Sequence, residues 1–385
     1  MPKRSVLFVS ATSEIGGADL SLLDLIRQLN REKFTPFVVF PFEGPLLDDF
    51  TKTGVKVLID NTGYIRKSLN PIKIIVTIIK IFFSIFTIGR IIKRNNICIV
   101  HSNSSIVFGG ALAAKLLGVK HVWHVREIKN SPKIIAWLIK RFIIYFSDEV
   151  IAISYAVKRN FEGILGYENK VSVIYDGIDL NEFHPREKSK DIKKEFNFKD
   201  GSKIVVAVGL ILPLKGYDYF LRAAKIVKDQ VAQAVFMIIG DNVTQRHDFY
   251  KQYIKDLTLK LGISNCVIFT GMRPDVASIL SVADVSVLAS VEPEGLGRVI
   301  TESMAMAKPV VTTSLGGQAE IVENRINGII VPPRDENTLA QAIIELLNNE
   351  ELANRLGQEG LSKVRKLFNL NICVSKIEGI FESLC

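Results

Sequence analysis

The chain has 385 residues, of which 48% are hydrophobic and 23% are charged. This length is too great for one typical core and predicts two domains, while the apolar content excludes a disordered chain. The formal net charge is +9, and residues 1–182 hold 24 Lys and Arg against 16 Asp and Glu. This imbalance indicates either a solvated charged surface or an anionic partner, such as a membrane or a phosphorylated lipid. Nucleic acid ranks last as a partner, because no known nucleic-acid module or zinc-ligand spacing is present.

The cysteines and the N-terminus bear on the compartment. The four cysteines are far apart in the sequence and match no metal-binding pattern, namely Cys98, Cys266, Cys373 and Cys385. Such spacing favours a reducing compartment with unreacted thiols. The apolar run after Lys3 and Arg4 covers only Val6–Val9, which predicts a first strand and not a signal peptide. We therefore expect a cytoplasmic protein.

The segment from Ile72 to Ile92 is apolar and long enough to span a bilayer. Polar residues recur in it at three- to four-residue spacing, namely Lys73, Thr77, Lys80, Ser84 and Thr87. They predict one narrow polar stripe on a helix, and lysines near the middle count against a membrane span. We expect a core or half-exposed helix, or an interfacial helix whose ends touch anionic headgroups. The basic residues at its ends are Arg66, Lys67, Arg90, Lys93 and Arg94.

Short β-rich runs alternate with helical patterns along the whole chain. The predicted strands are Ser5–Val9, Phe37–Phe40, Lys56–Ile59, Ile97–His101, His121–His124, Glu149–Ile153, Lys170–Ile174, Ile204–Val208, Val235–Ile239, Val267–Thr270, Val285–Leu288, Pro309–Thr312 and Gly328–Val331. The predicted helices include Asp19–Asn30, Val107–Leu117, Tyr217–Asp229, Asp248–Leu261, Val276–Ser281 and Asn337–Asn348. This alternation indicates an α/β fold of two Rossmann-like, doubly wound domains that face each other across a cleft.

The domain boundary is predicted in the charged, apolar-poor stretch from Phe183 to Asp200. The first domain is then residues 1–182 and the second is residues 183–369. The last helix, about Leu370 to Leu384, is expected to return to the first domain within residues 370–385. In doubly wound sheets the ligand lies at the carboxyl ends of the strands, so the loops that follow the strands carry the candidate site.

The most informative stretch runs from Glu292 to Glu302: it follows a predicted strand and opens into a helix of about Gly297 to Ala307, with Glu294 in the loop and Glu302 inside the helix. Free N–H groups at a helix start can bind an anion such as phosphate. Glu294 and Glu302 carry carboxylates, which accept hydrogen bonds from sugar hydroxyls. The pattern predicts a nucleotide-sugar site. The alternative, equally weighted on this stretch alone, is a surface Glu302 paired with Arg298 one turn earlier.

Loops after other predicted strands add candidates. Gly16 and Gly17 would let the backbone approach a ligand, and the dinucleotide pattern G-x-G-x-x-G is absent, which counts against a nicotinamide enzyme. His124 ends a strand in the company of Arg126 and Glu127, although a lone histidine is more often structural.

In the second half, Lys215 precedes a helix start, where the helix dipole disfavours a cation unless an anion lies between them. This position indicates a diphosphate contact, and a solvated lysine is the common alternative. Gly209 precedes Lys215 in the same loop. Arg273 follows another strand, at the same edge of the sheet, where it could frame a base and ribose.

Taken in order, these loops resemble glycosyltransferase family 4, the retaining family of the GT-B fold, over nearly the whole chain. The resemblance is carried by Gly16-Gly17, His124, the stretch from Ile174 to Phe183, Val208-Gly209, Lys215-Gly216, Phe269-Thr-Gly271, Asp275, Ala283-Asp284, Ser290, Glu294 to Glu302, Met304-Ala305, Lys308 to Val311, Gly316-Gly317 and Glu320.

The resemblance implies that Glu294 holds hydroxyls of the donor sugar and that Glu302 binds the ribose. It implies sugar and diphosphate contacts from the N–H groups of Leu296, Gly297 and Arg298. The expected reaction retains the anomeric configuration, and the leaving phosphate takes the acceptor proton.

The remaining roles concern both domains. Lys215 would balance the leaving phosphate, and His124 would lie near the donor sugar and the acceptor. Gly16 and Gly17 would approach the phosphates or the acceptor. The first domain would then bind the acceptor, expected to be a polysaccharide or a lipid-linked glycan of the cell envelope, and the second would bind the nucleotide sugar. The protein is expected in the cytoplasm and at the inner face of the membrane, as a peripheral protein.

Two positions depart from the family pattern. Leu210 stands where an arginine usually supplies a second phosphate cation, and Arg298 is our candidate to replace it. Asp176 stands where asparagine is usual. No Asp-x-Asp triplet occurs, so we expect no metal requirement and no cofactor.

Two other function classes stay open. A nucleotide-sugar 2-epimerase shares this architecture, and product analysis without an acceptor separates it from a transferase. A non-catalytic partner subunit would bind the nucleotide without turnover, and Leu210 is compatible with that alternative, whereas Lys215, Glu294 and Glu302 count against it.

Overall fold

The computed structural model describes residues 3–65, 70–128, 132–186, 192–242 and 248–385. Two compact units divide the chain. The first contains Met1–Gly177 together with Leu370–Cys385, and the second contains Ile178–Asn369. The sequence placed the boundary five residues later, after residue 182. Each unit is built around one parallel sheet.

The first unit holds a seven-stranded sheet in the order β3-β2-β1-β4-β5-β6-β7. Its strands are β1 (Arg4–Ser10), β2 (Phe34–Phe40), β3 (Lys56–Ile59), β4 (Ile97–Asn103), β5 (Lys120–Val125), β6 (Glu149–Ala152) and β7 (Val171–Val173). All neighbours pair in parallel. The order reverses beside β1, so β1 and β4 flank the switch point where doubly wound folds bind ligands.

The second unit holds a six-stranded parallel sheet in the order β10-β9-β8-β11-β12-β13. Its strands are β8 (Lys203–Val208), β9 (Ala234–Ile239), β10 (Val267–Gly271), β11 (Val285–Leu288), β12 (Val310–Thr313) and β13 (Ile329–Val331). Here β8 and β11 flank the switch point.

Helices connect the strands. They are α1 (Gly17–Gln28), α2 (Leu47–Lys52), α3 (Pro71–Arg94), α4 (Gly109–Leu117), α5 (Lys133–Phe146), α6 (Tyr155–Arg159), α7 (Tyr167–Lys170), α8 (Ile192–Glu195), α9 (Tyr217–Gln230), α10 (Asp248–Lys260), α11 (Val276–Val282), α12 (Arg298–Ala305), α13 (Gln318–Ile321), α14 (Glu336–Asn348), α15 (Glu350–Leu367) and α16 (Leu370–Leu384). One 3₁₀ turn, Pro213–Lys215, precedes α9.

Helix α16 packs into the first unit. Its buried residues Ile377 and Phe381 join the core that contains Val6 and Phe8 of β1. The ring of Phe381 lies 6.2 Å from that of Phe8, in an edge-to-face arrangement. Aromatic contacts of this kind stabilise a core beyond the burial of their area.

All thirteen predicted strands are present, with ends that move by at most three residues. The bounds of Lys56–Ile59 and Val285–Leu288 are exact, as are those of the last helix. The helix predicted from Gly297 to Ala307 is shorter, because Gly297 adopts φ 98° as its N-cap. The sequence analysis did not predict α5 or α15.

Helix α3 is half-exposed, which is one of the alternatives that the sequence left open. Its first half is exposed, with Ile72, Ile78 and Phe83 at 70%, 60% and 58% exposure, so this half is not a core helix. Its second half packs on α4 and β4 through the side that carries the predicted polar stripe. Ser84 of that stripe is buried, and the Thr87 hydroxyl donates to the Asn61 carbonyl at 3.1 Å.

That orientation leaves the apolar arc of α3 facing outward. The helix is long and apolar enough to cross a membrane by length and composition, and 11% of its most apolar window is buried. The basic residues Arg66 and Lys67, predicted to flank it, lie outside the described residues.

Candidate functional site

The loops after β8 and β11 of the second unit meet at the carboxyl edge of its sheet. The Val291 N–H donates to the Leu214 carbonyl at 2.8 Å, which joins the two loops. Since β8 and β11 flank the switch point, this contact places Lys215 and Glu294 where an α/β sheet binds its ligand.

Lys215 and Glu294 form an ion pair. The distance from Lys215 Nζ to Glu294 Oε2 is 2.7 Å, and both side chains are largely shielded from solvent. The hydroxyl of Ser290 donates to the other carboxylate oxygen, Oε1. The carboxylate is therefore held by one cation and one hydroxyl, in a fixed orientation.

Glycines let the surrounding loops pack closely. Gly216 has φ 65°, and a Cβ there would lie 2.1 Å from the Ala289 carbonyl oxygen. The Gly317 N–H donates to the Glu294 carbonyl at 2.9 Å, and a Cβ on Gly317 would lie 2.2 Å from the Gly295 oxygen. Larger residues at these two positions would displace the backbone that carries Glu294.

Arg298 and Glu302 form a second ion pair, with 2.7 Å between Nε and Oε1. They lie one turn apart on α12, so the pairing considered in the sequence analysis is present. Glu302 is nevertheless buried and not a surface residue. Leu296 and Gly297 lie at the start of α12, where the first N–H groups of a helix have no partner inside it. The candidate donor-binding residues of this loop are thus neighbours.

Gly209, Arg273 and Leu210 occupy the adjoining loops. Gly209 adopts φ 145°, and its carbonyl accepts a hydrogen bond from the Tyr217 hydroxyl at 2.8 Å. Burial raises the pKa of Tyr217, with Glu294 adding to the effect, so this hydroxyl stays protonated. Leu210 is half-buried.

The guanidinium of Arg273 is engaged by two carboxylates, at 2.8 Å from Asp275 and 2.6 Å from Glu195. These hydrogen bonds raise the pKa of Arg273. If Arg273 contacted a nucleotide, that contact would compete with its ion pairs to Asp275 and Glu195.

The first unit places Gly16 and Gly17 at the start of α1, with Gly16 as the N-cap. Among the described residues, no atom outside the adjoining backbone lies within 4 Å of a Cβ built on Gly17, so packing there does not require glycine. Asp19, in the first turn, was not a candidate from the sequence. It is buried, and it accepts a hydrogen bond from the Ser10 hydroxyl at 2.8 Å. Burial raises the pKa of Asp19 to about 7, against the opposing effect of that hydrogen bond.

His124 lies at the end of β5 and is buried. Burial, with the positive charge of Arg126, holds its pKa well below the usual range, so the ring is neutral. Arg126 Nη2 lies 3.4 Å from His124 Nδ1. Because a guanidinium only donates, this contact favours the tautomer with the proton on Nε2. His124 Nε2 is buried and has no hydrogen-bond partner among the described residues, so the catalytic role expected of His124 stays a prediction.

Arg126 is the centre of a buried polar network that the sequence analysis missed. Its guanidinium pairs with the Asp176 carboxylate, and its Nε donates to Asn103 Oδ1 at 2.8 Å. A buried cation needs a compensating anion. This pairing gives a physical reason for aspartate at position 176, where the family pattern has asparagine. The arginine that follows the candidate histidine was the available signal.

Two further observations delimit the site. A cavity of about 480 Å³ lies beside Lys193, Lys199 and Ile204, near the amino end of β8 and away from the loops above. Within the described ranges, no group of three or more His, Cys, Asp and Glu side chains is placed to hold a metal ion. The expected independence of metal stays a prediction.

Family comparisons cover most of the chain. A family model described as Glycosyltransferase Family 4 matches residues 15–182, and one described as Glycosyl transferases group 1 matches residues 188–363. The two matched segments cover most of the first and second units and leave out residues 1–14, which contain β1, and α16.

Individual relatives match over nearly their full length. An uncharacterised glycosyltransferase of Methanocaldococcus jannaschii is 27% identical, over 96% of this chain and 95% of its own. The UDP-Gal:alpha-D-GlcNAc-diphosphoundecaprenol alpha-1,3-galactosyltransferase of Escherichia coli is 25% identical, over 97% and 98%. Among solved structures, Anabaena HepE in complex with UDP and glucose aligns with a TM-score of 0.84 at 21% identity, over 98% of this chain and 99% of its own.

Proposed function

Because the chain belongs to glycosyltransferase family 4, we propose that it transfers a sugar from a nucleotide sugar to a hydroxyl of a polysaccharide or lipid-linked glycan, with retention and without a metal. The chain is a glycosyltransferase with two Rossmann-like domains of the GT-B fold. The observation that carries the proposal is the pair of ion pairs, Lys215–Glu294 and Arg298–Glu302, at the switch point of the second sheet.

The donor would lie across these two pairs. Glu302 accepts hydrogen bonds from ribose hydroxyls, and Glu294 accepts them from the transferred sugar. Lys215 and the first N–H groups of α12 face the diphosphate. A hydroxyl of the donor sugar then competes with Lys215 for the Glu294 carboxylate. The Lys215 ammonium group becomes available to the phosphate.

In the reaction, the bond from the anomeric carbon to the diphosphate oxygen breaks, and a bond to the acceptor oxygen forms on the same face. The acceptor proton passes to the departing diphosphate. Lys215 stabilises the developing phosphate charge, so catalysis consists of positioning and electrostatic stabilisation. His124 is neutral and its Nε2 is buried, so we propose it as a neighbour of the donor sugar and the acceptor and assign it no proton transfer.

The acceptor is proposed to be lipid-linked, with the protein working peripherally at the inner face of the cell membrane. Two observations support this. The Escherichia coli relative is named for a diphosphoundecaprenol substrate, and the first unit exposes an apolar helix flanked by basic residues.

The test begins with donor binding. Thermal shifts with a panel of nucleotide diphosphates and nucleotide sugars, UDP-sugars first, are compared in wild type and Glu302→Ala, with and without EDTA. A ligand that binds only the folded chain raises the midpoint of unfolding. We expect one donor to stabilise wild type, with no effect of EDTA, and to lose its effect in the variant. No shift with any donor would contradict the proposal.

The chemistry is tested by the anomeric configuration of the product, measured by NMR after reaction with a lipid-linked acceptor. Retention with the donor named by the binding panel supports the proposal. An epimerised nucleotide sugar formed without any acceptor would indicate the isomerase instead.

A further inference from the structure

Helix α5, like α3, exposes large hydrophobic side chains to solvent. Ile134 and Leu138 are 76% and 53% exposed and lie on one side of the helix with Arg141 and Tyr145. Ala136, Ile143 and Ile144 face inward and are buried. The helix therefore packs on its unit through a narrow apolar side and turns a second apolar side to solvent, which a soluble helix rarely does.

Helices α3 and α5 lie on the same side of the first sheet. Helix α4 contacts both of them. Each helix connects one parallel strand to the next, so it runs opposite to the strands and begins at their carboxyl ends. The exposed first turns of α3 and α5 are therefore near the edge of the sheet that carries Gly16 and His124.

The charge of this face is one-sided. Neither helix contains Asp or Glu, whereas α3 has five Lys and Arg and α5 has three. Lys73, Lys80 and Lys133 are exposed. The Arg141 guanidinium lies 5.3 Å from the Trp137 ring centre, which combines an aromatic and a cationic group as membrane interfaces favour.

The charge and the width of this apolar surface indicate which partner would cover it: a second copy of the chain, another protein or a lipid leaflet. Two copies of the face would bring like charges together, which disfavours a symmetric dimer. On α3 the outward apolar residues span roughly 200° of the helix circumference, at 3.6 residues per turn, which suits immersion in acyl chains more than one flat protein surface. Lysines beside such an arc attract anionic headgroups.

We propose that α3 and α5 together form one docking face for an anionic lipid leaflet, and that this face presents the carboxyl edge of the first sheet to a membrane-held acceptor. The inference rests on the proposed function for the nature of the acceptor. It adds α5 as a second lipid-binding helix.

The chain offers its own reporter. Its two tryptophans are Trp123, which is fully buried, and Trp137, which is exposed on α5. A blue shift of tryptophan emission on addition of vesicles therefore reports the transfer of Trp137 out of water. Trp137→Phe keeps an aromatic ring and should abolish the shift while leaving vesicle binding in place.

Co-sedimentation of the full chain with vesicles tests the face. We expect at least tenfold tighter binding to phosphatidylcholine vesicles that contain phosphatidylglycerol than to phosphatidylcholine alone. Ile134→Ser with Leu138→Ser on α5 should weaken binding about tenfold, as should Ile78→Ser with Phe83→Ser on α3. The control is Leu259→Ser on α10, an apolar residue that is 68% exposed in the other unit and should have no effect.

Three results would overturn the proposal. They are equal binding to both vesicle types, vesicle binding with no change in Trp137 emission or on substitution of α5, and a lipid-free dimer in sedimentation velocity that the same substitutions dissociate. Donor binding in vesicle-free buffer tests the proposed function separately, so the two can fail independently.

Discussion

Lys215 Nζ and Glu294 Oε2 lie 2.7 Å apart although 79 residues separate them in the chain. The cation expected at the leaving phosphate and the carboxylate expected at the sugar are therefore one electrostatic unit. A substitution of either residue changes the charge seen by the other, so their effects on activity should be coupled.

The first prediction concerns this pair. Lys215→Met and Glu294→Gln should each lower kcat by about 10²–10³-fold, the range for the loss of one group that stabilises developing charge. The double variant should lose much less than the product of the single effects. Steady-state kinetics of transfer measure this. Lys225→Met, which breaks an exposed pair with Asp229, is the control, and a loss confined to KM would contradict the catalytic role.

The second prediction concerns Arg298 as the replacement for the phosphate-binding arginine that the family pattern has at position 210. Arg298→Ala should weaken nucleoside diphosphate binding about tenfold, or roughly 1.4 kcal/mol, and weaken nucleoside binding far less. Glu302→Gln, at the proposed ribose contact, should weaken both ligands alike. Isothermal calorimetry with the two ligands separates these effects.

A rescue variant sharpens that test. Leu210→Arg added to Arg298→Ala should recover diphosphate binding, because it returns a cation to the loop that contains Gly209. If Arg298→Ala weakens both ligands equally, Arg298 acts only by holding Glu302. The hypothesis that Arg298 replaces the phosphate-binding arginine expected at position 210 is then wrong.

The third prediction compares two glycines. Gly17→Ala should leave the midpoint of thermal unfolding unchanged, because no described atom outside the adjoining backbone lies within 4 Å of the added methyl group. It should nevertheless lower transfer if a ligand approaches this backbone closely. Gly317→Ala should lower both the midpoint and donor binding, because its Cβ would lie 2.2 Å from the Gly295 oxygen. Full activity in Gly17→Ala would remove this glycine from the site.

The fourth prediction is a pH dependence of stability. Burial raises the pKa of Asp19 from 3.8 to about 7. Between these values the folded chain binds the proton and the unfolded chain does not, so the free energy of unfolding falls as pH rises. The penalty is complete above pH 7 and is on the order of 4 kcal/mol at most, at about 1.4 kcal/mol per pKa unit.

Asp19→Asn removes that ionisation and keeps an acceptor for Ser10. Its thermal midpoint should exceed that of wild type at pH 8, and the difference should close as pH falls to 4. Asp49→Asn, which alters an exposed pair with Lys52, is the control for general charge effects. A difference between Asp19→Asn and wild type that is independent of pH would show that Asp19 does not titrate in this window.

The sequence predicted the strands because each is a short apolar run followed by glycine or a polar loop, and such runs depend on local pattern alone. It also located Glu294 and Lys215 on loops at one edge of a sheet, and Glu302 in the helix that follows the Glu294 loop. It could not show that Arg126 pairs with Asp176, fifty positions away, because that contact depends on where β5 and the segment after β7 lie in space.

The orientation of α3 shows the same limit. Its polar stripe was readable, and the usual assumption turns such a stripe to solvent. Here Ser84 packs against Gly63 and Gly109, where a Cβ would lie 2.2 Å and 2.4 Å from its hydroxyl. These two glycines, from distant segments, leave room for α3 to turn its polar stripe inward, and no local pattern encodes their proximity.

The return of α16 to the first unit has a consequence for biosynthesis. Residues Ile178–Asn369 separate the two parts of that unit, and a ribosome takes roughly 10–40 s to add them at about 5–20 residues per second. During that interval the second unit is contiguous and able to fold. In the first unit, Phe8 and Phe34 lack their contact with Phe381, which has not yet been synthesised. The nascent first unit therefore exposes part of its core after all seven of its strands have been synthesised, so we expect it to depend more on chaperones than the second unit does.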